Sequence, residues 1–157
     1  LSDMKLLANH FARRITPGTV IGMDGSLGAG KTTFTRLLCE AMGTDEIVNS
    51  PTYTVCQEYE TTKGTVAHWD FYRLEESDEL STVGFEDSDF YQMITIIEWA
   101  GMFRDYLPAS MISISIDRGE AEESRTLRVE SSSYTTLPFR AAFGAFLQES
   151  HFANSGA

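Results

Sequence analysis

Gly25-Ser26-Leu27-Gly28-Ala29-Gly30-Lys31-Thr32 carries glycine, lysine and a hydroxyl at the spacing G-x-x-x-x-G-K-[ST]. Each fixed position has a chemical use. Glycines let the backbone fold back and turn successive N–H groups inward, and a helix that follows adds the positive end of its dipole. Lys31 then reaches the β- and γ-phosphates of a nucleoside triphosphate, and Thr32 offers its hydroxyl to Mg²⁺. The alternative is an ordinary Gly-rich turn. The flanks argue against it, because an apolar run at 20–23 leads in and a helix-like run from Thr33 to 42 leads out.

A phosphate loop binds, whereas hydrolysis also needs an acid near the metal and a group that places water in line with the γ-phosphate. The apolar, β-branched run 93–97 ends in Glu98-Trp99 with no Asp before it, so the magnesium acid is sought elsewhere. Asp70 is the best candidate, near the end of the β-rich run 65–71, since ligands of open α/β sheets collect outside the carboxyl ends of the strands. Mg²⁺ takes few carboxylates and keeps several waters, so Thr32 with Asp70, directly or through water, would suffice. Glu98, at the end of a neighbouring strand, would orient water or hold a magnesium-bound water. The catalytic candidates are thus Lys31, Asp70 and Glu98, and the metal candidates Thr32, Asp70 and Glu98. Either acid has a plainer alternative as a capping or solvated strand-end residue.

Ser50-Pro51-Thr52 stands where many phosphate-loop proteins carry a loop that senses the γ-phosphate; alone it signals only a turn. His68 could handle protons, contact a partner or be a structural residue. Trp99 and Trp69 could stack on a base or pack. Arg73 could pair with Asp70, a phosphate or a surface acid.

The elements that must position these groups follow from periodicity. A first helix over 2–15 opens on Ser2-Asp3, places Leu7, Phe11 and Ile15 at four-residue spacing and stops at Pro17-Gly18. The run 20–23 is apolar on both faces, as a central parallel strand must be. The next helix buries Phe34, Leu37, Leu38 and Ala41 and ends at Gly43. Runs 53–59 and 65–71, joined by the turn-like 61–64, predict an antiparallel hairpin, and alternation puts Val66, His68 and Asp70 on one face with Ala67, Trp69 and Phe71 on the other. Residues 75–91 hold a short helix from Ser77 or Asp78 and an irregular part around Gly84. This stretch has seven acids and no base, a solvated face or a dock for a basic partner. Strands at 93–97, 111–116 and 126–129 follow, the last two joined by a charged loop at 117–125. A final helix from Thr135-Thr136 turns Phe139, Phe143, Phe146 and Leu147 inward.

The expected fold is α/β, a P-loop NTPase-like three-layer sandwich with a mostly parallel central sheet plus antiparallel strands. With 157 residues, 42% of them hydrophobic, residues 1–157 are expected to form a single domain with a frayed tail from about 150. Twelve basic against 23 acidic side chains give a net charge of −11, which opposes nonspecific attraction to a phosphate backbone; any RNA in its biology is expected to be met through a partner. Cys39 and Cys56 read as small buried thiols of a reducing compartment. No run approaches the ~20 apolar residues of a membrane span and no signal pattern opens the chain, so a cytoplasmic protein is expected.

Several motifs line up in order with one family. Gly25-x-Leu-Gly-Ala-Gly-Lys-Thr-Thr33, Ser50-Pro-Thr-Tyr53, His68-x-Asp-x-Tyr-Arg-Leu74 and Ile97-Glu-Trp99 together resemble the TsaE (YjeE) family, across about residues 18–117. The resemblance implies a bacterial Mg²⁺-dependent ATPase, weak alone, needed to make N6-threonylcarbamoyladenosine at position 37 of tRNA. It implies ATP as the nucleotide and a TsaB–TsaD complex as the partner that transfers the threonylcarbamoyl group, with the ATP cycle restoring that complex for another turnover. It places residues 25–33 at the nucleotide, Ser50, Pro51 and Thr52 in a first switch, Asp70 at magnesium and Glu98 as the catalytic acid. Two departures stand out. Ser26, preceded by Asp24, replaces the family's usual acid after the first loop glycine, and Met4 stands where the first helix usually has Thr.

Two other functions fit a phosphate loop. A small-molecule kinase would add an Arg-rich lid, which no arginine cluster in the sequence suggests. A nucleotide-dependent scaffold would bind ATP without hydrolysing it.

Overall fold

The computed structural model describes residues 2–119 and 124–131. In chain order the elements are α1 (Ser2–Ala12), β1 (Val20–Asp24), α2 (Lys31–Ala41), β2 (Cys56–Thr61), β3 (Gly64–Asp70), α3 (Glu79–Thr82), β4 (Ile94–Glu98), a 3₁₀ segment (Ala100–Tyr106), β5 (Ile112–Arg118) and β6 (Arg125–Ser131). They form one six-stranded sheet in the order β2-β3-β4-β1-β5-β6. The four central strands are parallel, and the hairpin partners β2 and β6 close the two edges antiparallel. This is the mostly parallel α/β sheet with antiparallel additions that the sequence predicts.

The two faces of the sheet are covered differently. α1 buries Met4, Leu7, Ala8, Phe11 and Ala12, the i, i+3, i+4 stripe of an amphipathic helix, and packs with α2 over Ile21, Met23, Val66, Ile94, Ile96 and Ile114. The opposite face meets α3, the 3₁₀ segment and the connections around them, built on aromatic side chains. There Phe85 stands edge-on to Trp69 and to Phe71, each at 5.0 Å, and Phe103 meets Phe71 at 5.5 Å. Trp69 is therefore core, not a base-stacking platform.

Most element boundaries fall close to expectation, and the differences have local causes. α1 ends at Ala12, although the Ile15 amide still bonds the Phe11 carbonyl at 3.1 Å and Ile15 is fully buried. α2 closes in a Schellman arrangement, with Thr44 N bonding Cys39 O and Gly43 N bonding Glu40 O. The strand expected from residue 53 begins only at Cys56. Tyr53–Val55 instead forms a turn in which Val55 N bonds Pro51 O at 2.6 Å and Val55 takes a positive φ of 65°. The 3₁₀ segment after β4 has no counterpart in the sequence reading. The expected final helix, with Phe139, Phe143, Phe146 and Leu147, lies outside the described residues. Among the described residues no helix is long and apolar enough to cross a membrane.

Candidate nucleotide site

The phosphate loop leaves the carboxyl end of β1 and runs into α2 through Gly25, Gly28 and Gly30, all at positive φ. A β-carbon on Gly25 would collide with the Ile116 carbonyl of β5, so glycine is required there for both its torsion and its space. Gly30 supplies no side-chain cap to α2, and the first turn of that helix carries no acid. The positive helix end is thus not neutralised by a carboxylate of its own first turn.

Lys31 is buried, with Nζ donating to Gly25 O at 2.7 Å and Ser26 O at 3.2 Å and lying 3.9 Å above the Trp99 ring. Burial lowers its pKa below the ordinary lysine value, while the carboxylates of Glu98, Asp70 and Asp24 act in the opposite direction. Trp99 reaches this position because it takes a left-handed turn, φ 62°, straight after β4. Its ring also packs 5.1 Å from that of Tyr72.

The two strand-end acids fall side by side, Asp70 on β3 in register with Glu98 on β4, and both are buried. Glu98 lies next to the loop strand, opposite Met23 of β1. Its Oε2 accepts the Thr32 hydroxyl at 3.1 Å and its Oε1 meets His68 Nε2 at 2.9 Å. Asp70, one strand further out, makes different contacts. Its Oδ2 accepts from Ser50 Oγ at 2.8 Å and Thr52 Oγ1 at 2.6 Å, and its Oδ1 from the Tyr72 amide at 3.0 Å. Pro51 is buried between those two hydroxyl residues. Leu27, Gly28, Gly30, Lys31, Thr32, Thr33, Ser50, Thr52, Asp70, Tyr72, Glu98 and Trp99 line one pocket of about 300 Å³.

Most of the sequence-predicted site residues therefore converge. Ser26 is exposed at the tip of the loop, and Asp24 accepts the Gly101 amide at 2.8 Å, so this acid caps the 3₁₀ segment. Ala29 is buried under the loop, and Met4 packs in the core with its methyl 3.5 Å from where a Gly30 β-carbon would be. Arg73 does not meet Asp70; its guanidinium lies 4.4 Å over the Tyr53 ring. His68 shares a face with Asp70, as alternation predicts, but it is fully buried.

Two residues escaped the sequence reading. Arg118 Nη2 donates to Leu27 O at 3.2 Å and Arg125 Nε to Ala29 O at 2.9 Å, so the β5–β6 hairpin grips the outer carbonyls of the phosphate loop. The two arginines face each other across the hairpin. Their position at both ends of the charged loop was visible, but not which end of the sheet that loop would meet.

The donor set suits one metal class. Among the described residues no group of three or more His, Cys, Asp and Glu side chains is arranged to hold a metal ion. One hydroxyl and two carboxylates beside a phosphate loop are instead the few hard oxygen donors that Mg²⁺ uses when phosphates and water complete its shell.

The sequence profile described as "Threonylcarbamoyl adenosine biosynthesis protein TsaE" matches residues 1–127. The chain belongs to the TsaE family. Among individual TsaE-family proteins, the tRNA threonylcarbamoyladenosine biosynthesis protein TsaE of Bacillus subtilis is 36% identical over 136 residues, covering 86% of this chain and 85% of that one. The Haemophilus influenzae protein of the same name is 38% identical over 98 residues, 62% of each chain. The crystal structure of Bacillus subtilis YdiB superposes with a TM-score of 0.70 at 27% identity, covering 95% of this chain and 90% of that one. The TsaE match covers the phosphate loop, both strand-end acids and Arg125.

Proposed function

We propose that this chain binds ATP with Mg²⁺ at the 25–33 loop and hydrolyses it slowly alone and faster with partners, in the service of N6-threonylcarbamoyladenosine formation at position 37 of tRNA. The observation that carries the reading is the convergence of Lys31, Thr32 and Glu98 at one loop mouth, in a chain of this family. Magnesium, when bound, neutralises charge on the β- and γ-phosphates. Thr32 and Glu98 would hold it, with Asp70 alongside them. Lys31 exchanges its carbonyl contacts for phosphate oxygens and keeps the ring of Trp99 beneath it. Glu98, its second oxygen fixed by His68, orients the attacking water. Ser50 and Thr52 sense the γ-phosphate while Asp70 holds their hydroxyls in reach. Arg118 and Arg125 engage loop carbonyls, which suits a support for the loop better than the phosphate lid of a kinase.

The partner in this reading is a TsaB–TsaD-type complex in the cytoplasm, met by one domain spanning residues 1–157. The net charge of −11 supports contact with that complex in preference to tight binding of bare tRNA. Reconstitution tests it: the transferase complex should modify adenosine 37 over many turnovers only when this chain and ATP are both present. Multiple-turnover modification in its absence would refute the role.

A further inference from the structure

His68 is fully buried on β3, under the face that carries α2, yet among the described residues only one of its two ring nitrogens has a hydrogen-bond partner. Nε2 lies 2.9 Å from Glu98 Oε1, while Nδ1 is buried without a hydrogen-bond partner among the described residues, and the imidazole and Tyr59 ring centroids lie 6.2 Å apart. A carboxylate oxygen can only accept, so at 2.9 Å the proton sits on Nε2, the histidine donates and Glu98 accepts. A relay needs both nitrogens connected, and a partner contact needs exposure; among the described residues His68 has neither.

Glu98 has reason to need such a partner. Its side chain has one more rotatable bond than an aspartate at the same strand end, and the ammonium of Lys31 attracts it electrostatically. Thr32 holds Oε2. Only the histidine holds Oε1 among the hydrogen bonds of the described residues. We propose that His68 is a positioning residue for Glu98, its Nε2–H pinning Oε1 so that Oε2 stays on Thr32 at the pocket wall. The proposal rests on the hydrolysis reading above for its effect on turnover and on geometry alone for the hydrogen bond. Without the donor, Oε1 is buried unpaired and the carboxylate swings away from Thr32, which takes Oε2 off the pocket wall.

Two substitutions and one spectrum test this. His68→Leu fills the space without a donor, and His68→Gln restores an N–H near the same place. In His68→Leu, kcat for Mg-ATP hydrolysis should fall roughly ten- to a hundredfold, the equivalent of losing one hydrogen bond to a charged group, with KM little changed. His68→Gln should recover most of that loss, which a purely structural role would not require. Full turnover in His68→Leu, or no recovery in a folded His68→Gln, overturns the proposal. Long-range ¹⁵N–¹H correlation of the wild-type imidazole should show a proton on Nε2, and a ring protonated on Nδ1 alone overturns it whatever the variants do. If the wild type failed to hydrolyse ATP under any condition, the functional reading would fall, and the spectrum would still decide the hydrogen bond.

Discussion

Glu98 and Asp70 are both acids, both buried and both at the carboxyl end of a parallel strand, one strand apart. They are held in opposite ways. Glu98 is tied into the body of the protein, to the first turn of α2 through Thr32 and to β3 through His68. Asp70 is tied to a loop, accepting both Ser50 and Thr52 hydroxyls on a single oxygen. The difference teaches that position at a strand end does not assign a role. Contact with regular elements keeps Glu98 fixed beside Thr32, whereas Asp70 is joined to the irregular segment 50–52. The turn at Val55, a β-branched residue at φ 65°, borders that loop and stores strain of order 1–3 kcal/mol.

The predictions that break or sharpen this contrast run from large effects to small. Lys31→Ala removes the cation that both acids face; turnover should drop to background and triphosphate affinity should fall by roughly 10²-fold or more, measured by phosphate release and by titration with a fluorescent nucleotide. Glu98→Gln should lower kcat about 10²- to 10³-fold while nucleotide binding stays within a few-fold, so the loss lies in the chemical step. Asp70→Asn should cost less, of order tenfold in kcat/KM, because the amide oxygen can still accept from the Ser50 and Thr52 hydroxyls and only the contact with the Tyr72 amide is lost. Equal losses in the two acid variants would erase the contrast.

A smaller effect concerns stability. Burial pushes both the Cys39 and Cys56 thiols up to about 12 from an ordinary 9.0. A raised acid pKa means that the folded state binds more protons than the unfolded state between those values, so stability should decline as pH rises from about 9 toward 12. Denaturant melts at pH 8 and pH 10 measure it, and Cys39→Ala/Cys56→Ala should flatten the decline. Neither thiol should react with a maleimide at pH 7 in the folded protein, as the thiolate is the nucleophile.

The fold and the site were legible to different depths. The phosphate loop is local in sequence, with strand, glycines and helix adjacent, and alternation alone put His68 and Asp70 on one face. The register that sets Asp70 beside Glu98 depends on β3 pairing with β4 across a long connection, which no local pattern encodes. For the same reason the choice between the acids was not legible: only the three-dimensional neighbour relation puts Glu98, and not Asp70, against Thr32. The left-handed turn at Trp99 and the grip of Arg118 and Arg125 on the loop carbonyls are likewise products of tertiary packing overriding weak local preference. Tyr53–Val55 read as strand because its residues are β-formers, and the Ser50 and Thr52 bonds to Asp70 pull it into a turn.

The division of labour between the two acids is tested most directly by hydrogen exchange of the backbone amides of residues 49–55, compared between Asp70→Ala and Glu98→Ala without nucleotide. Exchange there should quicken markedly in Asp70→Ala and stay at the wild-type rate in Glu98→Ala. Equal acceleration in both variants, or acceleration confined to Glu98→Ala, would contradict the account.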